Sequence, residues 1–368
     1  MARIPDYIYS RFYSRIMQPL LFRLNPELAH RIAIAVLARM PAFDPGLDPP
    51  ELGQILWKLP FSNPIGLAAG MDKEIQAPRA WQALGFGFAE LGTITPRPQP
   101  GNPRPRMWRL PAERALINRL GFPSAGMHAA ARRLTMARGR GLGIPVGLNL
   151  GPNRDTPPEY VPADYAAMMA VLAPLADFVV INLSSPNTPG LRDWQAPERL
   201  RTLIAAIRPD RSDDGQTAHR RPMLIKLSPD LELSQVARLC DLIMELRLDG
   251  IVAANTTLAR EDCGVTSVYE GGLSGEPLKL RARGIIREIY RHIGGRIPIV
   301  GVGGVSTAED AYEHIRAGAN LVEFYTALVY EGPRVVSRIK HGLLALLERD
   351  RLNSISEAVG TTARGTRS

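Results

Sequence analysis

Short apolar runs alternate with longer amphipathic stretches along most of this chain. From about residue 64 the runs are Ile65–Ala69, Phe88–Ile94, Val146–Leu150, Phe178–Ile181, Met223–Leu227, Gly250–Ala254, Ile299–Val302 and Leu321–Tyr325. Each is a few residues long and most are closed by glycine or polar side chains, which is how fully buried strands read. Eight such runs separated by helical stretches predict an α/β fold, a (β/α)8 TIM barrel of ordinary size. An open doubly wound sheet is the competing arrangement, and the count of eight favours the barrel.

The first 45 residues follow a different period. Ile4, Ile8, Phe12 and Ile16 recur at helical spacing with Arg11 and Arg15 beside them, and Pro19 interrupts. Asn25 and Pro26 then supply a helix cap and a proline at the first helical position. Leu28, Ile32, Val36 and Met40 form the stripe of a second helix. Arginines at 3, 11, 15, 23, 31 and 39 and aromatics at Tyr7, Tyr9, Phe12, Tyr13 and Phe22 accompany both. This predicts a small N-terminal two-helix extension lying in a membrane interface. The alternative is a helical pair packed on the main domain with its arginines merely solvated. The chain thus divides into a module over 1–45, a barrel over 46–350 and a polar tail over 351–368 that is expected to fray. Within the barrel, residues 46–60 read as a connector. Residues 96–111 are crowded with Pro, Arg and Gly and hold Met107–Leu110, a small rim hairpin. Residues 209–222 read as a surface excursion with no assigned role.

Composition narrows the function classes. The chain has 368 residues, is 45% hydrophobic and carries a formal net charge of +9. The basic residues are spread out with few aromatics among them, so nucleic-acid binding is not expected, and a membrane-facing surface accounts for the charge at least as well. Two cysteines, Cys240 and Cys263, cannot make a four-ligand metal site. His128, His219, His292, His314 and His341 show no ligand spacing, so no metal is expected. A reducing compartment is the default. No apolar run reaches the roughly 18 residues of a spanning helix, and the N-terminus lacks a secretory signal.

The chemistry gathers where the runs end. Phe178–Ile181 passes within one residue into Asn182, Ser184, Ser185, Asn187 and Thr188, a polar loop stiffened by Pro186 and Pro189. In a barrel, catalytic groups sit on such loops at the C-terminal ends of strands. The seventh run ends in Gly301-Val-Gly-Gly-Val-Ser-Thr-Ala-Glu309. Gly303 and Gly304 let backbone amides approach an anion, and a capping box of Ser306 and Glu309 starts the next helix. The loops after strands seven and eight are the usual phosphate site of this fold, and Tyr325 and Thr326 complete the cradle. A dinucleotide fingerprint and a Walker loop are both missing. The ligand expected is therefore a mononucleotide-type cofactor such as FMN, or a sugar-phosphate substrate. Lys226 at the end of the fifth run points into the mouth, suited to a Schiff base or to a positive charge beside a flavin. Lys73 suits a carboxylate or phosphate. Asn118, Asn149, Asn182 and Asn255, the last with Thr256 and Thr257, recur at the same end of the barrel. Four there argue for one ligand with several amide edges.

Taken together, Ala68-Ala-Gly-Met-Asp-Lys73, Gly92–Asn102, Asn118–Phe122, Asn182–Gly190, Ala254–Thr257, Gly271–Gly275 and Gly301–Gly304 resemble the dihydroorotate dehydrogenase family, in its membrane-associated, quinone-reducing class. The resemblance runs from about residue 1 to 347. It implies a barrel holding one FMN and no metal, oxidising (S)-dihydroorotate to orotate in pyrimidine biosynthesis. By motif, Ala69, Gly70, Met71, Asp72, Lys73, Thr93, Asn149, Asn182, Lys226, Ala254, Gly275, Gly303, Gly304, Tyr325 and Thr326 would surround FMN. Lys73, Asn118, Arg119, Leu120, Gly121, Phe122, Asn182, Asn187, Asn255 and Thr256 would hold dihydroorotate. Ser185 matches the catalytic base, and a sister class has cysteine there. His30, Arg109 and Tyr325 would lie near the quinone, ubiquinone or menaquinone, at the mouth of a tunnel formed by the N-terminal helices. The resemblance further implies a monomer attached peripherally through residues 1–45 to the cytoplasmic face of a bacterial inner membrane. Ser185, Lys226 and Gly304 should then converge on a single hollow.

Overall fold

Side chains on the inner face of eight strands decide how the sheet closes. The computed structural model of the chain describes residues 12–40, 46–208 and 221–363. Its barrel strands are β1 (Ile65–Leu67), β2 (Phe88–Ile94), β3 (Val146–Leu150), β4 (Phe178–Asn182), β5 (Met223–Leu227), β6 (Gly250–Ala253), β7 (Ile299–Val302) and β8 (Leu321–Phe324). They pair in parallel, each with the next, and β8 returns to β1, so no edge is left. These are the eight apolar runs of the sequence, within a residue or two at their ends.

Phe88, Phe178, Val180, Leu224, Val252, Val300 and Leu321 fill the lower interior as one apolar cluster. Glycines make room for the large rings. A Cβ on Gly66 would stand 2.1 Å from the Phe88 ring, and one on Gly147 would stand 2.1 Å from that of Phe178. Two residues further along the same inner faces the layer turns polar, with Glu90, Asn149, Lys226 and Glu323. The outer faces of the strands pack on the surrounding helices. Leu67, Leu91, Leu148, Val179, Ile225 and Ile251 there meet residues such as Trp81, Tyr165, Ile204 and Ile243, all nearly or fully buried. Each such side chain contributes about 1.5–3 kcal/mol by leaving water.

Residues 46–60 are more than a connector. Gln54–Leu56 and Leu59–Phe61 form an antiparallel hairpin across the lower end of the barrel. Phe61 lies edge-on to Phe88 at 5.5 Å, and Trp57 stands 5.8 Å from Phe178. The two-residue turn puts Trp57 and Lys58 at φ 52° and 63°. Turns of that hand usually carry Asn or Gly, so the sequence gives no turn signal. Met107–Leu110 does form a rim hairpin, with Ala115–Asn118, and Gly272–Gly275 adds a third strand.

Residues 1–11 of the N-terminal module lie outside the described part. Pro19 does not break the helix there. A wide π-turn over Tyr13–Met17 runs into α1 (Gln18–Phe22), placing Pro19 in a first turn where its missing N–H costs little. Asn25 caps α2 (Pro26–Leu37), accepting from the amides of Glu27 and Leu28 at 3.0 and 3.3 Å. The pair is seated on the barrel mouth. Tyr13 donates to the carbonyl of Val329 at 2.9 Å, Phe22 lies edge-on to Tyr330 at 5.5 Å, and Arg109 donates to the Leu24 carbonyl at 2.9 Å. Its outer face leaves Phe12, Ile16, Leu20, Leu28, Ile32 and Val36 exposed. Among the described residues no helix is long and apolar enough to cross a membrane.

Two further expectations need correction. The segment after residue 350 is not frayed through 363: Ile355, Ala358 and Ala363 are buried, and Gly360 at φ +74° packs flat on the Tyr290 ring. The capping box is Thr307 with Asp310, one residue later than the Ser306–Glu309 pair. Asp310 wins because its carboxylate also pairs with Lys279 at 2.8 Å and accepts from the Ser306 and Thr307 amides.

Candidate active site

A hollow of about 1150 Å³, open mouth included, lies over the C-terminal ends of the strands. Ser185, Lys226 and Gly304 all line it. So do Ala69, Gly70, Lys73, Thr93, Ala254, Gly275, Gly303, Tyr325 and Thr326, and, towards the rim, Asn118, Leu120, Gly121, Phe122, Asn182, Asn187, Asn255 and Thr256.

Its floor is charged. Lys226 Nζ donates to Glu90 Oε2 at 3.0 Å, and Asn149 donates to the other Glu90 oxygen. Glu323, fully buried with them, has a carboxyl pushed well above the usual range by burial and then by the charge of Glu90. Above it, Thr93 donates to Asn149 Oδ1 at 2.6 Å, and Asn182 Nδ2 lies 3.0 Å from the same oxygen. Asn255 Nδ2 reaches Ser184 Oγ at 3.0 Å. Asn187 Nδ2 reaches Asn118 Oδ1 at 3.3 Å, joining the loop after β4 to the rim sheet. Asn149, Asn182 and Asn255 thus form one hydrogen-bonded group, and Asn118 stands apart from it with Asn187.

Ser185 is buried, and its Oγ accepts from the Asn187 amide at 3.3 Å. That bond stabilises negative charge on the oxygen. Lys73 donates to the Gly70 carbonyl, and burial pulls its ammonium down to about 8, Glu27 and Asp72 opposing. It remains largely cationic at neutral pH.

At the far end, Gly303 and Gly304 turn at φ 131° and 73°, and a Cβ on Gly304 would lie 2.5 Å from the Lys279 Cα at the start of α3 (Lys279–Ile293). Only glycine permits this turn. His314, on α4 (Ala308–Arg316), presents one ring nitrogen to the Gly303 carbonyl and the other to that of Asp310, each at 3.0 Å. Burial and Arg283 pull it down to about 4, so it is neutral and donates to one of them. Ser274 and Thr326 hydroxyls, 2.9 Å apart, add donors beside the turn. The chemistry of this end is that of an anion cradle.

Six expected residues stand off the wall of this hollow. Asn149 lies beneath it. Asp72 is tied to the amides of Gln76 and Ala77 and the Trp81 indole. Arg119 turns out over Trp108 and pairs with Glu270 at 3.2 Å. Met71, Asp72 and His30 line a second hollow between α2 and the barrel, and Lys73, Leu120 and Pro123 are shared by both hollows. Arg109 lies over the Phe22 ring at 4.7 Å. The Tyr325 hydroxyl is 3.4 Å from His30 Nδ1, and burial, with Lys73 nearby, pulls His30 down to about 3. Sequence reasoning passed over Glu90 and Glu323. A carboxylate inside each of two otherwise apolar strands was the available signal. It also passed over Arg114, which bridges Glu276 and Glu331 at the hollow's edge.

A closed parallel barrel with an anion-suited turn after strand seven, a buried lysine at its floor and an amide-lined loop opposite defines a (β/α)8-barrel enzyme with its site at the C-terminal ends of the strands. Residues 51–347 match the family model described as dihydroorotate dehydrogenase, and the chain belongs to that family, in its quinone-dependent class. It is 47% identical over 353 residues to the dihydroorotate dehydrogenase (quinone) of Rhodospirillum rubrum, covering 95% of each chain. It is 46% identical to that of Thermus thermophilus, covering 93% of this chain and 99% of the relative. The crystal structure of an Eimeria tenella DHODH in complex with ferulenol superposes with a TM-score of 0.85 at 38% identity, covering 92% of this chain and 96% of that one.

Proposed function

We propose that this chain oxidises dihydroorotate to orotate on FMN held in the barrel mouth and passes the electrons to a quinone. The observation that carries the reading is that Ser185, Lys226 and the Gly303–Gly304 turn line one hollow. Glycine amides with the Ser274 and Thr326 hydroxyls fit a phosphate, and Lys226 fits the polar edge of a planar ring system. When bound, the flavin accepts the two electrons and hydrogen that leave dihydroorotate and yields them to quinone.

The chain's own residues do the rest. Lys73 pairs the substrate carboxylate, while Asn118, Asn182, Asn187 and Asn255 exchange hydrogen bonds with the ring amides, whose donors and acceptors they match. Ser185 Oγ takes the proton from the carbon next to the one that loses hydrogen. A hydroxyl is a weak base, and the buried loop with the Asn187 amide is what supports it in that role. Quinone approaches between α1, α2 and the barrel, towards His30, Arg109 and Tyr325. The apolar outer face of α1 and α2 lies on a membrane surface, at the cytoplasmic face of a bacterial inner membrane.

The test is an anaerobic absorbance spectrum of the purified protein. A flavin spectrum that bleaches on adding dihydroorotate and recovers with a ubiquinone analogue is expected. A spectrum unmoved by dihydroorotate would defeat the reading. Recovery with fumarate or NAD instead of quinone would defeat the acceptor assignment.

A further inference from the structure

Glu27 stands in the first turn of α2, yet both of its carboxylate oxygens are taken by the barrel. Arg104 donates at 3.1 and 2.9 Å and Arg106 at 3.1 and 2.7 Å. The two arginines differ in what they do next. Arg104 is mostly exposed, whereas Arg106 is buried and uses its remaining nitrogen on the carbonyls of Pro100 and Asn102, at 2.6 and 2.8 Å. Asn102 in turn holds both loops that face the substrate position. Its amide donates to the Leu120 carbonyl at 2.9 Å, and its side chain donates to the carbonyls of Arg119 at 2.9 Å and Asn187 at 3.2 Å. The fit is close: a Cβ on Gly121 would stand 2.5 Å from the Asn102 amide group.

We infer that Glu27, Arg106 and Asn102 are positioning residues for substrate binding, so that the seating of α2 on the barrel sets the geometry of Asn187 and of the Asn118–Phe122 turn. This rests on the substrate reading above. A buried guanidinium that loses its carboxylate must find other acceptors, and those within reach of Arg106 are the carbonyls that shape the Asn102 turn. Glu27 does not line the substrate hollow, yet its charge is felt there. Through the same contacts, a bound substrate steadies α2, because coupling between two sites is reciprocal.

The experiment uses the full-length holoenzyme and titrates orotate against the flavin spectrum, with flavin content and thermal melting as checks of folding. Glu27→Gln and Asn102→Ala are each expected to weaken orotate binding roughly five-fold or more. Arg104→Ala, which removes an arginine from Glu27 but no bond to the loops, leaves it within two-fold. The double variant Glu27→Gln/Asn102→Ala is expected to lose less than the product of the two single losses. Unchanged orotate affinity in Glu27→Gln, with only quinone reduction altered, overturns the inference. So do strictly multiplicative losses in the double variant. If the wild-type spectrum itself ignores orotate and dihydroorotate, the substrate reading fails first and takes this inference with it.

Discussion

Lys226 Nζ and Glu90 Oε2 meet at 3.0 Å across the barrel interior, with both side chains nearly or fully buried. Glu323 shares their layer, and neither of its oxygens has a hydrogen-bond acceptor role filled among the described residues. The three are not equivalent. Removing Glu90 leaves a buried ammonium without a counter-charge, and Glu90→Gln is expected to cost about 3–5 kcal/mol of stability. Glu323→Gln keeps the shape, removes the ionisable carboxyl and is expected to stay within about 1 kcal/mol near pH 6. Its pH dependence is the sharper signature. A carboxyl raised on folding takes up a proton, so stability falls as pH rises above its unfolded value of about 4.5. Glu323→Gln removes that decline, so its stability relative to wild type should rise as pH increases above about 4.5. Denaturant melts at pH 5, 6, 7 and 8 measure it, and parallel curves for the two proteins would refute a Glu323 carboxyl raised on folding.

Ser185 Oγ has a single backbone donor, the Asn187 amide at 3.3 Å, and faces the hollow. Ser185→Ala removes the hydroxyl proposed above as proton acceptor and leaves the Gly303–Gly304 turn and Lys226 in place. Its reduction by dihydroorotate should slow by at least 10²-fold, the lower end of what a positioned base contributes, while flavin content stays at the wild-type level. Anaerobic stopped-flow absorbance reads both. Reduction at near-wild-type rate would remove Ser185 from the role of base.

The barrel is legible in the sequence because each strand is buried on both faces and so appears as a short, mostly apolar run. What escaped notice depends on partners far away in the chain. Glu90 and Glu323 look like isolated polar interruptions until closure of the barrel sets them beside Lys226. The 54–61 hairpin carries Trp57 and Lys58 at a turn where asparagine or glycine would have announced it. Ser-Thr-Ala-Glu-Asp offers a helix two starting registers, and Lys279, on the preceding helix, chooses the later one. The 351–363 segment is polar in composition, and it packs through partners distant in the chain: the Tyr290 ring under Gly360 and the carbonyls of Ile315 and Arg316. Of the site, the loop-borne asparagines, Ser185, Lys226 and the paired glycines are all readable from strand ends. The Glu27–Arg106–Asn102 chain is not, because nothing local in the sequence relates residue 27 to residue 106.

His30 is half-buried and His314 fully buried, with pKa values pulled from 6.5 to about 3 and about 4, desolvation being the larger cause in each. A group depressed on folding binds its proton more readily in the unfolded chain. Stability from both residues is therefore complete above about pH 6.5 and is lost as pH falls towards 4. Each contributes a slope of about 1.4 kcal/mol per pH unit within that window. His314→Asn should be less stable than wild type at pH 7, having lost the tie to the glycine turn. Relative to wild type, it should also lessen the loss of stability between pH 6.5 and 4.5 by about 1.4 kcal/mol per pH unit. Chemical denaturation across that range decides it, and an acid limb identical to wild type would show that His314 does not titrate there.

Leu20 and Val36 are 54% and 59% exposed on α1 and α2, on a face that nothing in the chain covers among the described residues. Each adds apolar area worth about 1.5–3 kcal/mol if it enters lipid. Leu20→Glu and Val36→Glu replace that gain with a charge that resists the membrane interface and repels anionic headgroups. Because both sites are exposed, folding stability should move by no more than about 0.5 kcal/mol. Each variant should therefore sediment with vesicles containing anionic lipid at least ten-fold less strongly than wild type. Oxidation of dihydroorotate with a soluble dye acceptor should be unchanged, since that half of the chemistry lies inside the barrel. Vesicle binding unaffected by both substitutions would mean that this face meets something other than a membrane.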